Sequence, residues 1–417
     1  MPRAVPSPRS PRVLRPSASC AFSCALLLVL HASSRAAKRR RDADRGTPAA
    51  ARAFGRGEAS AALGARTISS LGTATGTAVR LHGLPDPRNV RSFHHRPPRS
   101  WARMGAMDPT YGYTIDSLLA IRPPNAPADF AQYWGARYAQ ARDIRPMPVI
   151  RPSAQPAPPA TRLYDVEFST TDGLRLGGWL TLPADGRVER GLVVSHGYGG
   201  RLEPERVAPV EHAAVLYACA RGMGARSLTD GIPAVAERHV LHGIADRETY
   251  VHGGCAADVW CSVSALTELV PAVAGRVAYV GGSFGGGIGA LALPWEDRIS
   301  AACLSIPSFG HHPVRVTLPC TGSGESVRRH VEAHPEAMDV LQYFDAATAA
   351  TMITVPTHVA PALADPAVPP PGQFAIANGL GGEREVFVRA TGHMDHPGAP
   401  EEAEALRASQ RDFLART

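Results

Sequence analysis

The chain has 417 residues and a formal net charge of +7, a size that accommodates one large or two ordinary domains. The charge is unevenly spread: residues 1–103 hold nineteen Arg or Lys, Lys38 being the only lysine of the chain, against four acids, which leaves about −8 for the remainder. The basic balance therefore belongs to the first quarter of the chain and gives no reason to expect nucleic acid binding by the rest.

Residues 1–103 are rich in Arg, Ala, Pro and Ser without a sustained apolar period. Such a segment cannot bury enough apolar surface to offset its chain entropy, so it reads as a disordered leader before a single domain at 104–417. Within it, the apolar run Cys20 to Leu30 follows four arginines. The run is too short to span a bilayer but has the shape of a secretion signal, Arg3 to Ser34, which would make the protein secreted. Met104 and Met107 stand just before the first protein-like sequence, so a start assigned too far upstream in an arginine-rich genome accounts for the leader equally well. Of seven cysteines, Cys219, Cys255, Cys261, Cys303 and Cys320 lie in the body, several inside apolar runs and none at zinc spacing. Buried free thiols in a reducing, cytoplasmic setting are expected, with no metal and no stable membrane insertion.

Thr114 to Leu119 reads as an extended approach, and Arg122 to Trp134 as a capped amphipathic helix pinned by its aromatics. Leu163 to Leu182 alternates apolar and polar residues about Thr171-Asp172-Gly173, a hairpin pattern. Gly191 to Ser195 is a buried-type strand running into His196-Gly197-Tyr198-Gly199-Gly200-Arg201, and Ala213 to Ala220 is a further apolar element. Asp258 to Leu269 looks helical and leads into Val277-Ala278-Tyr279-Val280-Gly281-Gly282-Ser283-Phe284-Gly285-Gly286-Gly287, a strand, a glycine-packed turn and the start of a helix. Strands follow at Ala301 to Ile306, His358 to Ala364 and Glu385 to Arg389, with a closing helix from Glu401 to Leu414. Strands alternating with helices predict an α/β fold with a mostly parallel twisted sheet covered on both faces.

Gly281 to Gly285 match the G-x-S-x-G turn that lifts a serine clear of a sheet, and the helix behind Ser283 favours negative charge developing beside it. A serine is a weak nucleophile at neutral pH, so it needs a base and a group that orients the base. Where a serine on such a turn is the nucleophile, the chain order is Ser, acid, His, each at a strand end. Asp365 ends the strand from His358, and His393 follows the strand from Glu385 through Ala390-Thr391-Gly392. Asp365 could instead be a turn former before prolines, and His393 a cap of the last helix with Asp395 or His396 in the chemistry. Two backbone N–H groups must also face the developing oxyanion. Phe284, the residue after the serine, supplies one, and Tyr198, in the loop after the Gly191 to Ser195 strand, is the candidate for the other.

With these residues placed, the body resembles the acetyl xylan esterase and cephalosporin C deacetylase family of α/β-hydrolases. The resemblance runs from about Asp116 to Leu414. It rests on Pro127-Ala128-Asp129-Phe130 before Tyr133-Trp134, His196-Gly197-Tyr198, Arg221-Gly222-Met223-Gly224, and His242 to Tyr250. It continues through Tyr343-Phe344-Asp345, Pro369-Pro370 with Gln373-Phe374, and Gly392-His393. It implies a serine esterase that hydrolyses acetyl esters of small carbohydrates or similar alcohols without cofactor or metal, often as a ring-shaped homo-oligomer. The family has Gln where this chain has Phe284, Gln where it has Met223, and Glu where it has Met394. The first makes the pocket wall more apolar, and the three together bear on sugar preference more than on ester chemistry. Two other functions compete: the same machinery acting on a metabolite ester or thioester, and an inactive hydrolase fold serving as a scaffold.

Overall fold

The computed structural model describes the backbone of residues 79–82 and the whole of residues 107–417. The signal-like run Cys20 to Leu30 lies outside the described residues. Within the stretch read as leader, Val79–His82 forms strand β1. The remaining strands are β2 (Val149–Pro152), β3 (Thr161–Ser169), β4 (Arg175–Pro183), β5 (Arg190–Val194) and β6 (Ala213–Ala218). They are followed by β7 (Val277–Gly282), β8 (Ile299–Ser305), β9 (Thr357–Ala360), β10 (Ala362–Ala364), β11 (Arg384–Phe387) and β12 (Arg389–Thr391).

Ten strands make one sheet in the order β1-β11-β9-β8-β7-β5-β6-β4-β3-β2, and β10 pairs with β12 beside it. The run from β1 to β6 in this order is parallel, whereas β6, β4, β3 and β2 pair antiparallel, β3 and β4 through the hairpin at Asp172. This is the α/β-hydrolase architecture. A parallel sheet must be apolar on both faces, and the central strands are: Val193, Val277 and Tyr279 pack into one core, while Leu192, Val194 and Ala278 pack into another. Helices Phe130–Arg142, Val251–Leu269 and Phe284–Ala292 contribute to the first core, whereas Phe413 and Leu414 of the closing helix Ala399–Arg416 reach the second.

Several elements differ from the sequence reading. Ile115–Leu119 is a short helix, because Thr114 and Ser117 form a reciprocal capping box. Asp129 does not cap the helix that follows it; its carboxylate accepts from Arg247 at 2.9 Å and from the Tyr343 hydroxyl. The strand expected from His358 to Ala364 breaks at Pro361, which has no N–H for a ladder. Its second half, β10, leaves the main sheet to pair with β12, carrying Asp365 toward His393. Among the described residues, no helix is long and apolar enough to cross a membrane.

Candidate active site

Ser283 sits between β7 and the helix Phe284–Ala292 with φ 52° and ψ −115°, a backbone conformation costly for any residue with a side chain. The surroundings hold it there. The Ser283 N–H donates to Ser305 O at 2.9 Å, and the N–H groups of Gly287 and Ser308 both donate to Ser283 O at 3.0 Å. Gly285 is required by close approach: a Cβ there would fall 2.7 Å from Ser195 Oγ and 2.8 Å from His196 O.

His393 Nε2 lies 2.8 Å from Ser283 Oγ, and His393 Nδ1 lies 2.8 Å and 3.0 Å from the two carboxylate oxygens of Asp365. Asp365 is fully buried. Its carboxylate also accepts from the N–H groups of Ala367 at 2.9 Å and Val368 at 3.0 Å, and from Gln373 Nε2 at 3.0 Å. A buried carboxylate with this many donors is held in one position, where it offers the acceptor an imidazole N–H needs. The alternatives are placed elsewhere. Asp395 is exposed and makes no hydrogen bond or ion pair among the described residues, and His396 Nδ1 accepts from the Gly398 N–H at 3.2 Å where the closing helix begins.

Tyr198 lies in the loop after β5, whose Gly197 packs directly on the serine: a Cβ there would be 3.9 Å from Ser283 Cβ. His196 fixes this loop. Its Nε2 accepts from the Ala220 N–H at 3.0 Å, so Nδ1 carries the proton that it donates to Gly197 O at 2.7 Å. Burial holds the His196 imidazole neutral, with its pKa pulled down to about 4. Phe284 opens its helix, so its N–H has no carbonyl one turn earlier to meet. Among the described residues, the Tyr198 N–H is likewise not drawn into any turn or loop bond with another backbone group.

The Phe284 ring corrects one expectation. It is fully buried, with the Tyr198 ring 4.3 Å away, so it does not itself form the pocket wall. Met223 is buried as well. No sequence pattern marks His239 and His252, which come from separate elements and meet the Tyr198 hydroxyl. The five cysteines of the body are buried free thiols.

The model of the acetyl xylan esterase (AXE1) family matches residues 113–410. Among solved structures, the chain is similar to an acetyl xylan esterase from Paenibacillus sp. R4, with 22% identity and a TM-score of 0.60 over 71% of this chain and 99% of that one. It is also similar to acetyl xylan esterase 1 from Thermoanaerobacterium sp. JW/SL YS485, with 20% identity and a TM-score of 0.62 over 72% of this chain and 99% of that one. These likenesses establish the hydrolase fold, and the match over residues 113–410 establishes membership: the chain belongs to the acetyl xylan esterase (AXE1) family and is a serine carboxylic ester hydrolase.

Proposed function

We propose that Ser283, His393 and Asp365 are the triad of an esterase that removes acetyl groups from small carbohydrate or similar alcohol esters. The observation that carries this reading is the unbroken chain from Ser283 Oγ to His393 Nε2 and from His393 Nδ1 to buried Asp365. Ser283 Oγ attacks the acetyl carbonyl while His393 Nε2 takes its proton, and Asp365 stabilises the imidazolium and fixes its orientation. The carbonyl oxygen becomes an oxyanion facing the Tyr198 and Phe284 N–H groups. The tetrahedral species collapses, His393 returns the proton to the departing alcohol, and Ser283 is left acetylated. Water, deprotonated by His393, then releases acetate and restores the serine.

Gly197 packs against the serine, which favours a short acyl group. Each added methylene gains roughly tenfold or more from burial, whereas displacing the carbonyl by about 1 Å costs on the order of 10²-fold. The test is kcat/KM for p-nitrophenyl acetate, butyrate and octanoate, measured beside acetylated sugars and cephalosporin C. Decline with chain length and turnover of acetylated sugars support the reading. Values that stay level or rise with length point to a broader esterase, and no turnover on any ester points to a scaffold.

A further inference from the structure

The Tyr198 hydroxyl is the centre of a buried polar chain that the ester chemistry does not use. It lies 2.9 Å from His252 Nε2 and 3.4 Å from His239 Nδ1, and His239 Nε2 lies 3.0 Å from Arg221 O. The proton order follows from the partners. A carbonyl only accepts, so His239 Nε2 carries the proton, and Nδ1 is left as an acceptor for the Tyr198 O–H. The Tyr198 oxygen then accepts from His252 Nε2–H.

Arg221 is itself immobilised. Its backbone N–H donates to Asp258 Oδ2 at 3.0 Å, and its guanidinium donates to both Asp258 oxygens and to Asp172. His252 and Asp258 belong to one helix, Val251–Leu269, so the loop bearing Tyr198 is tied twice to the same rigid element, directly through His252 and through Arg221 and His239. The Tyr198 ring meanwhile rests on the Phe284 ring at 4.3 Å, and His252 rests on Phe309 at 4.3 Å.

Core packing alone does not account for a histidine at position 252. Among the described residues its Nδ1 is buried without a partner, a cost that a phenylalanine or leucine in the same space would not carry. The one hydrogen bond the ring makes among the described residues is to Tyr198. Burial keeps the imidazoles of His252 and His239 neutral, so the chain adds no charge beside the serine.

We propose that His252 and His239 are positioning residues of the oxyanion hole, holding the Tyr198 side chain so that its backbone N–H stays aimed at the oxygen above Ser283. The role rests on Tyr198 and Phe284 being the oxyanion donors. A tether that acts only when the oxyanion forms lowers kcat and kcat/KM together and leaves KM in place.

The experiment compares Tyr198→Phe, His252→Phe, the double variant and His252→Gln in p-nitrophenyl acetate turnover, in affinity for a transition-state analogue such as a boronic acid, and in thermal melting. Tyr198→Phe removes one oxygen atom and leaves the ring stack intact, so it tests the tether even if His252→Phe fails to fold. Tyr198→Phe and His252→Phe should each lose roughly tenfold in kcat with KM within about twofold, less than the roughly 10²-fold cost of removing an oxyanion donor outright. Analogue affinity should fall in the same proportion. The double variant should be no worse than the worse single, because both cut the same bond. His252→Gln, which can donate from its amide toward Tyr198, should recover most of the loss. Wild-type kcat in folded Tyr198→Phe, or additive losses in the double variant, overturns the tether. Ser283→Ala in the same series separates the two claims. If it is inactive while Tyr198→Phe is unaffected, only the tether falls; if it retains activity, the reading of the site falls with it.

Discussion

Asp365 meets His393 Nδ1 with both carboxylate oxygens, at 2.8 Å and 3.0 Å, from a position fully closed to solvent. Its remaining acceptor capacity is taken by two backbone N–H groups and by Gln373, so the carboxylate cannot swing away from the imidazole. Asp365→Asn keeps the shape but offers an amide where the imidazole N–H needs an acceptor, and favours the wrong tautomer. The expected cost is roughly 10⁴ in kcat. Asp395→Asn, at an exposed carboxylate, should leave kcat near wild type. Measuring both variants on p-nitrophenyl acetate decides the acid, and greater damage from Asp395→Asn would reverse the assignment.

Ser283→Ala removes the attacking oxygen from a turn whose backbone is held by Ser305, Gly287 and Ser308 rather than by the serine side chain. Folding and substrate binding should therefore persist while kcat falls by a factor on the order of 10⁶. Thermal melting alongside turnover checks both halves. A variant with a tenth of wild-type activity would take Ser283 out of the nucleophile role.

The turn at Ser283 and the order Ser283, Asp365, His393 are legible in the sequence because they depend on local chemistry: glycines at a crowded turn, and polar residues directly after apolar runs. The break at Pro361, which turns one expected strand into β9 and β10, is written in the sequence too, but the apolar run from His358 to Ala364 outweighs a single proline. Thr114 to Leu119 fails as an extended segment for a similar reason, since a five-residue helix has too few turns to show a period and only its capping box marks it. The chain through Tyr198, His239 and His252 is not legible at all. It forms across 41 and 54 residues of sequence, between elements whose apposition only the sheet order dictates.

Gly392 precedes His393 because nothing larger fits behind the acid. A Cβ at that position would fall 1.8 Å from Asp365 Oδ2 and 2.4 Å from its Cγ, and Asp365 cannot retreat from its backbone donors. Gly392→Ala should therefore displace the Asp365 and His393 pair while leaving the core intact. A shift of about 1 Å is enough for a loss on the order of 10²-fold in kcat. Gly135→Ala is the control, since a Cβ there meets nothing within 4 Å and its helix should tolerate or gain from alanine. Equal turnover in the two variants would show that the loop around His393 yields without cost.

Acid should unfold the protein through its buried histidines. His196, His239 and His312 are buried and held neutral, each with a pKa pulled from 6.5 to about 4, and His252 is pulled well below 6.5, with loss of hydration the largest cause in every case. In the unfolded chain all four titrate near 6.5. Between about pH 6.5 and 4 the unfolded state therefore binds more protons than the folded one, so stability is fully present above 6.5 and declines as pH falls. Each extra proton steepens the decline by about 1.4 kcal/mol per pH unit, and a domain stable by roughly 5–15 kcal/mol cannot sustain several of them for long. Urea midpoints at pH 7.5, 6 and 5 should fall in that order, with cooperative unfolding before pH 4. His312→Gln, which cannot titrate, should start less stable because the Phe344 carbonyl loses its imidazole partner, yet lose less between pH 7.5 and 5 than the wild type. A midpoint that holds level from pH 7.5 to 5, or an identical acid slope in His312→Gln, would mean that these histidines bind their protons without unfolding the sheet around them.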